Sequence, residues 1–325
     1  MTKNDFSGKR ILVIGDVMLD KYVYGDTLRL SAEASVPIIL YQKTEYRLGG
    51  AANVAANIKA LGGNPLLVGL AGDDDGGAQL NSLLKNSGIQ ATILDSKRQT
   101  TLKTRIIANR QQIARIDDED TSRLPADVVQ ALIRHLTTSV ADVSAIIISD
   151  YAKGIIVNRR ILSAVTYGRN SNIPLFIDPK VSNGALYECV DIYAITPNSR
   201  EAEGLVPDSR GIDSLGRGLL DRYKCNHAVI TRGDQGISVF SSDKYSHTYI
   251  PATARDVFDV SGAGDTVIAA LALGTVSGMS IVAAAQFANA AAGVVVGKHG
   301  TAMATIEEVL ASGYKFPGGT MCGTP

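Results

Sequence analysis

A short apolar run that stops at a polar residue recurs along this chain, and its repetition restricts the fold more than any other feature. Ile11-Leu12-Val13-Ile14 ends at Gly15-Asp16, and Pro65 to Gly69 forms a second run. Ala145 to Ile148 ends at Ser149-Asp150, Leu175-Phe176-Ile177 at Asp178, Ile192 to Ile195 at Thr196-Pro197-Asn198, and Ala228-Val229-Ile230 at Thr231-Arg232-Gly233. Runs of this length without alternation read as strands buried on both faces. Helical stretches separate most of them: 51–61, 79–86, 126–137, 159–168 and 213–223. In the first, Ala51, Val54, Ala55, Ile58 and Leu61 make one apolar stripe at helical spacing. Strands alternating with helices predict an α/β fold with a mostly parallel sheet covered on both faces. In such sheets ligands bind outside the carboxyl ends of the strands, which here carry Asp16, Asp150, Asp178, Asn198 and Gly233. Asp and Asn also form turns after strands, so each position admits a binding role and a turn role.

A chain of 325 residues, 45% hydrophobic and 20% charged, is long enough for one large domain or for a domain with an inserted piece. Lysine plus arginine balances aspartate plus glutamate at 32 each, so no global field favours nucleic acid or an anionic membrane. The 3 cysteines (Cys189, Cys225, Cys322) are widely spaced, and none of the 4 histidines has zinc-type spacing, which fits a reducing cytoplasm. Residues 1–10 lack the apolar centre of a signal peptide. Thr266 to Gly297 carries no charge, but glycines, serines, Gln286 and Asn289 interrupt it, so it reads as two buried helices and not a membrane span.

Residues 20–47 and 98–117 depart from the pattern. They are rich in Tyr, Thr, Val, Ile and Arg with local alternation, and predict a small inserted β-sheet able to serve as a lid. Within it a two-residue period puts Lys103 and Arg105 on one face, either as ligands or as gatekeeping charges of a solvated edge. The other notable stretch is Asp259-Val260-Ser261-Gly262-Ala263-Gly264-Asp265-Thr266, a polar turn running straight into an apolar helix. Glycines let consecutive N–H groups point outward and the helix start adds partial positive charge, which together bind an anion without a cationic side chain. Asp265 then stands at the helix mouth either as a cap or as a proton acceptor. Asn198-x-x-Glu201 likewise offers oxygens suited to magnesium or a capping box.

Gly49-Gly50-Ala51-Ala52-Asn53-Val54-Ala55 and Asp259 to Thr266 resemble the two signatures of the ribokinase, or PfkB-type, carbohydrate kinases. Asn198-Ser199-Arg200-Glu201 and Thr231-Arg232-Gly233-Asp234-Gln235-Gly236 match that family's motifs in its order, and the resemblance runs from Ile11 to about Leu310. Further stretches, Gly15 to Asp20, Ser31 to Pro37, Ser149-Asp150-Tyr151-Ala152-Lys153-Gly154, Asp178-Pro179-Lys180 and Ala288 to Lys298, look like its D-glycero-β-D-manno-heptose 7-phosphate kinases. The resemblance implies a ribokinase-like three-layer α/β/α sandwich with the inserted lid, and one kinase domain over 1–325 with a frayed tail over 311–325. An adenylyltransferase domain of the kind often fused to such kinases is not expected within these residues.

The implied activity is transfer of the γ-phosphoryl group of ATP to C1 of a heptose 7-phosphate, on the route to the ADP-heptose of lipopolysaccharide. Other PfkB-type kinases acting on a ketohexose phosphate or pentose, and a non-catalytic sugar-binding regulator, are the alternatives. By resemblance the N–H groups of Gly262, Ala263 and Gly264 hold the migrating group and Asp265 accepts the hydroxyl proton; a carboxylate at a helix start is expected to stay ionised and weakly basic. ATP is assigned to Asn198, Ser199, Arg200, Glu201, Thr231, Gly233, Gly236 and Asn289, with Mg2+ held by Glu201 and Asn198 through water and a monovalent cation as a further cofactor. Asn289 serves equally well as a helix–helix hydrogen bond. The sugar is assigned to Asp16, Asp20, Gly49, Gly50, Asn53 and Asp150, and its phosphate to Lys103, Arg105 and Lys153. The family often dimerises through the lid. The Walker-like Gly293 to His299 has the wrong glycine spacing and sits in a helix, and no dinucleotide fingerprint follows the first strand.

Overall fold

The computed structural model describes residues 6–316 except 141, 157, 158, 171, 244, 255 and 256. Its strands in chain order are β1 (Arg10–Gly15), β2 (Val17–Leu30), β3 (Pro37–Gly50), β4 (Asn64–Ala71), β5 (Gln90–Asp95), β6 (Leu102–Ala108) and β7 (Gln111–Asp118). They continue as β8 (Ala145–Ser149), β9 (Leu175–Asp178), β10 (Ala194–Ile195), β11 (His227–Thr231), β12 (Ile237–Ser241) and β13 (Ser246–Ile250). One sheet runs β13-β12-β11-β10-β9-β8-β1-β4-β5, parallel from β5 to β11 and antiparallel only in the last two pairings.

The pattern of the first strand explains the layers. Ile11 and Val13 point into one core with helices Ala51–Ala60, Asp75–Asn86, Ala263–Val276 and Ile281–Val296, whereas Leu12 and Ile14 point into the other with helices Ala126–Ser139, Arg159–Gly168, Ser199–Leu205 and Ile212–Tyr223. A strand with a core on each side has no solvent face to encode, so its apolar run is continuous. The uncharged stretch 266–297 is two helices broken at Gly278, whose φ of +89° suits only glycine, and no helix of the described residues is long and apolar enough to cross a membrane.

β2 and β3 leave the main sheet after β1, and β6 and β7 leave it after β5; they assemble as a second sheet in the order β3-β2-β6-β7. Both expected insertions are therefore one sheet, reaching a few residues beyond 20–47 into 17–50 and running over 102–118 in the second piece. Pairing of Asp20 with Lys103 and of Tyr22 with Arg105 fixes which side chains share a face. At the other end, the chain stays packed past Leu310: Tyr314 and Phe316 each lie 5.6 Å, ring centre to ring centre, from Phe287. Packing two half-buried aromatic rings there offsets the entropy of ordering a few residues; most of the tail expected over 311–325, residues 317–325 with Cys322, lies outside the described residues.

Candidate active site

Helix Ala263–Val276 starts on Gly262, whose φ is +79° and on which a Cβ would come within 2.6 Å of the Asn53 amide nitrogen. Glycine is thus required by conformation and by space. Asp265 stands in the first turn, 3% exposed, and makes no cap to its own helix. Its Oδ2 accepts from Asn53 Nδ2 at 2.7 Å and its Oδ1 from the Tyr151 hydroxyl at 2.5 Å. Of the two roles open to Asp265, geometry excludes the cap. Its basicity also departs from expectation. Burial raises the carboxyl to about pKa 6, with the charge of Asp20 adding to the rise, although both hydrogen bonds pull it down. Desolvation outweighs the helix start and makes the group a better base near neutral pH.

The partners of Asp265 come from distant chain. Asn53 lies in the first turn of helix Ala51–Ala60, and Asn57 one turn on donates to its carbonyl at 2.9 Å while accepting from the Thr266 hydroxyl at 3.0 Å. This fully buried bridge locks the two helices whose starts frame the site. Tyr151 comes from the loop after β8, which Asp16 shapes: Asp16 Oδ2 accepts the N–H groups of Tyr151 and Lys153 at 2.9 and 3.0 Å, and Oδ1 that of Ile155 at 3.0 Å.

Several residues expected to hold sugar are therefore supports. Asp16 is 6% exposed and turned to backbone. Asp150 accepts from Ala152 N–H at 2.7 Å, Asn183 Nδ2 at 2.7 Å and Tyr187 Oη at 2.5 Å, so its oxygens are also engaged. Gly50, at φ +57°, lets its chain pass 2.3 Å (from an ideal Cβ) from the Asp16 carbonyl, and Gly49 makes room for the Asp20 carboxylate at 2.8 Å. A buried carboxylate accepting several N–H groups gains more than a solvent-facing one offered to a hydroxyl. Of the expected phosphate-binding cations, Arg105 is buried in a 2.5 Å ion pair with Asp20, Lys153 lies 2.6 Å from Glu119, and Lys103 3.6 Å from Asp117. Arg105 is the least available, 7% exposed and stacked over Tyr22.

On the other side of the glycine turn lies a cavity of about 510 Å³ walled by Asn198, Thr231, Gly233, Gly236 and Asn289 together with Ala263 and Gly264. The sequence motifs thus converge on one space. Ser199, Arg200 and Glu201 do not line it: Ser199 Oγ donates to the Thr231 carbonyl at 3.4 Å, and Arg200 is exposed on its helix. Asn198 and Glu201 form a complete capping box, with Asn198 Oδ1 accepting from Glu201 N–H at 3.0 Å and Glu201 Oε2 from Asn198 N–H at 3.1 Å. Glu201 Oε1 remains, 3.4 Å from Lys180 Nζ. Among the described residues no cluster of His, Cys, Asp and Glu is set to enclose a metal; a single carboxylate oxygen, loosely paired with Lys180, suits magnesium that keeps its waters. Asn289 donates to the Pro251 carbonyl at 2.8 Å, a contact to a loop and not to another helix. Gly293 lies inside helix Ile281–Val296 facing Thr253, which removes the Walker-like reading.

Two residues escaped the sequence, Tyr151 and Asn57, and Asp178 was named there only as a strand end, with no role assigned. Asp178, at the end of β9, lies in the electrostatic reach of Asp265, Glu201 and Asp150, and burial first, then those charges, hold its carboxyl well above the ordinary range. A visible signal for Tyr151 was its place in the polar stretch Ser149 to Gly154, but nothing in spacing says that this loop folds back.

A parallel sheet with a glycine turn opening a helix, a buried carboxylate beside it and a cavity behind it defines a carbohydrate kinase of one lineage. Residues 9–308 match the model of the pfkB family carbohydrate kinases, and the chain belongs to that family. It is 42% identical over 327 residues to the bifunctional protein HldE of Gluconacetobacter diazotrophicus, covering 99% of this chain and 67% of that one. The bifunctional protein HldE of Caulobacter vibrioides is 41% identical, over 94% of this chain and 64% of its own length. The chain spans about two thirds of the length of these curated relatives. Among solved structures, phosphofructokinase-2 from Escherichia coli in complex with substrates and products superposes with a TM-score of 0.78 at 18% identity over 93% of this chain and 97% of that chain. Arabidopsis thaliana ribokinase complexed with ribose and ATP gives 0.69 at 19% over 94% and 98%. The fold is ribokinase-like.

Proposed function

We propose that the chain transfers the γ-phosphoryl group of ATP to the C1 hydroxyl of D-glycero-β-D-manno-heptose 7-phosphate, a step toward ADP-heptose. The observation behind a transferase of this kind is Asp265, a buried carboxylate of raised pKa set at the mouth of an N–H-lined turn, with a cavity of nucleotide size on the far side. Support for the heptose comes from the motifs Asp178-Pro179-Lys180 and Ser149 to Gly154 and from the identity to the HldE proteins. Phosphoryl transfer is mostly positioning and charge stabilisation. Gly262 and Gly264 would present N–H groups to the group in flight, whereas the Ala263 N–H expected beside them is donated to the Val260 carbonyl at 3.2 Å, and Asp265 would take the hydroxyl proton. Asn198, Thr231, Gly233, Gly236 and Asn289 would surround the nucleotide. Magnesium would be held through water at Glu201 and Asn198, where it supplies charge neutralisation on the phosphates.

The acceptor would lie between Asp265 and the charged face of the second sheet, near Asp20 and Asn53, with Lys103 or Lys153 exchanging its carboxylate partner for the substrate phosphate. The sheet would close over it as a lid. Leu40 and Tyr41 on β3 and Ile113 and Ile116 on β7 are 49, 65, 44 and 57% exposed, a distribution that suits a homodimer joined sheet to sheet. Use of ATP together with free thiols suits the cytoplasm. A coupled ATP-consumption assay across heptose 7-phosphate, fructose 6-phosphate and ribose, in potassium and in tetramethylammonium buffers, tests the reading, with Asp265→Asn as control. Good turnover of fructose 6-phosphate without turnover of the heptose would replace the acceptor, and no consumption with any sugar would favour a binding protein.

A further inference from the structure

Phosphate-rich substrates face an electrostatic difficulty in this site. Asp265, Asp178, Glu201 and Asp150 converge at the strand ends, and Lys180 is the one positive charge among the four principal electrostatic neighbours of Asp178. The expected cations give the nucleotide little help: Arg105 is paired with Asp20, and Lys153 and Lys103, paired with Glu119 and Asp117, are assigned to the acceptor's own phosphate.

Lys180 is held differently. Its backbone N–H donates to Tyr187 Oη at 2.9 Å, and that hydroxyl donates to Asp150 Oδ2 at 2.5 Å, an oxygen also bound by Asn183 at 2.7 Å. Tyr187 is fully buried. Asp150 therefore fixes the main chain at Lys180, while the side chain stays 44% exposed and only loosely paired, 3.4 Å from Glu201 Oε1. The place is also suitable. Glu201 shares its capping box with Asn198, a wall of the nucleotide-side cavity, and Asp178, two residues before Lys180, neighbours Asp265. A main chain held in place with a half-exposed, loosely paired ammonium is what a phosphate-contacting lysine needs.

We propose that Lys180 is a catalytic cation, its ammonium moving from Glu201 onto the γ-phosphoryl oxygens of the nucleotide during transfer. The bond from the γ-phosphorus to the ADP oxygen breaks, a bond from the acceptor hydroxyl oxygen forms, and the hydroxyl proton goes to Asp265; Lys180 donates hydrogen bonds and keeps its protons. This rests on the phosphoryl-transfer reading of the site but not on which sugar accepts.

The test uses the intact chain with magnesium, ATP and whichever sugar phosphate the unaltered protein turns over best, so an error in the acceptor shows in the unaltered protein and leaves the comparison intact. Lys180→Ala should lower kcat by ~10²–10³-fold, the range for removing one donor to transition-state charge. KM for the acceptor should stay within threefold, and Tm close to that of the unaltered protein because the side chain is half exposed. Lys180→Arg should keep at least a tenth of kcat. Ethylammonium should restore at least tenfold to Lys180→Ala and nothing to Asp265→Asn. A fall in kcat under fivefold, or a large fall that ethylammonium does not reverse in a variant of unchanged Tm, overturns the proposal.

Discussion

Removing the hydroxyl of Tyr151 isolates what that contact does to Asp265. In Tyr151→Phe the carboxylate loses a hydrogen bond donated at 2.5 Å inside a buried site and keeps the one from Asn53. Hydrogen bonds to charged groups contribute about 1.5–3 kcal/mol and one pKa unit corresponds to ~1.36 kcal/mol, so the carboxyl should rise by roughly 1–2 units. From about 6 this moves it to roughly 7–8. Asp265 accepts a proton only when ionised, so activity is full above its pKa and falls tenfold per unit below it. The profile of kcat/KM, which reports the unliganded enzyme, should have its acid limb displaced upward. At pH 6 the unaltered protein is about half ionised and the variant ~1–9%, a loss of about 5- to 50-fold that shrinks to under threefold by pH 9. Tyr151 itself adds no limb, since burial and then the Asp265 charge hold its phenol well above the ordinary range. A loss of equal size at every pH, or an acid limb left where it was, would refute the reasoning and reduce Tyr151 to packing.

Other expectations follow from the same geometry. Because burial raises Asp265 above its unfolded value, its contribution favours the fold at low pH and is lost as pH rises through about 6; Asp265→Asn should therefore gain Tm relative to the unaltered protein between pH 4.5 and pH 8 in calorimetry, while losing at least ~10²-fold in kcat. A Cβ at Gly264 meets no atom within 4 Å, and alanine is favoured over glycine in a helix by up to ~1 kcal/mol. Gly264→Ala should thus be no less stable in urea yet lose at least tenfold in kcat/KM for ATP, and unaltered kinetics would remove the N–H cradle from the mechanism. Asp20→Ala leaves Arg105 buried without its partner and should cost about 3–5 kcal/mol in urea unfolding, with the Asp20→Ala, Arg105→Met double variant recovering part of it; additive losses would mean that the pair does not interact.

The layers of the fold were legible because they rest on local pattern. Residues 11–14, 145–148 and 175–177 announce themselves as strands by having nothing polar on either face. The edges were less so. β5 is half-buried and β13 largely exposed, so neither shows a continuous apolar run, and neither was read from the sequence. Site residues divide in the same way. Gly262, Gly233 and Gly236, all at positive φ, carry their meaning in local conformation and could be singled out from the sequence. The roles of Asp16 and Asp150 depend on partners 135 residues away in one case and 37 in the other, and no spacing rule reports which of several N–H groups a carboxylate will meet. An aspartate after a strand reads alike whether it turns toward ligand or toward the loop beside it.

That ambiguity is resolved by counting lone pairs. An ionised carboxylate offers about four acceptor sites. Asp16 gives three to the main chain of Tyr151, Lys153 and Ile155, so receiving a substrate proton would break a loop anchor at each turnover. Asp150 likewise has three donors, the main chain of Ala152 and the side chains of Asn183 and Tyr187. Asp265 has one donor on each oxygen, both from side chains held by other elements, which leaves a lone pair on each oxygen and no backbone that depends on them. All three carboxyls are raised by burial, so basicity does not separate them. Vacancy does: of these three, only Asp265 can take up a proton and release it with the surrounding chain unchanged.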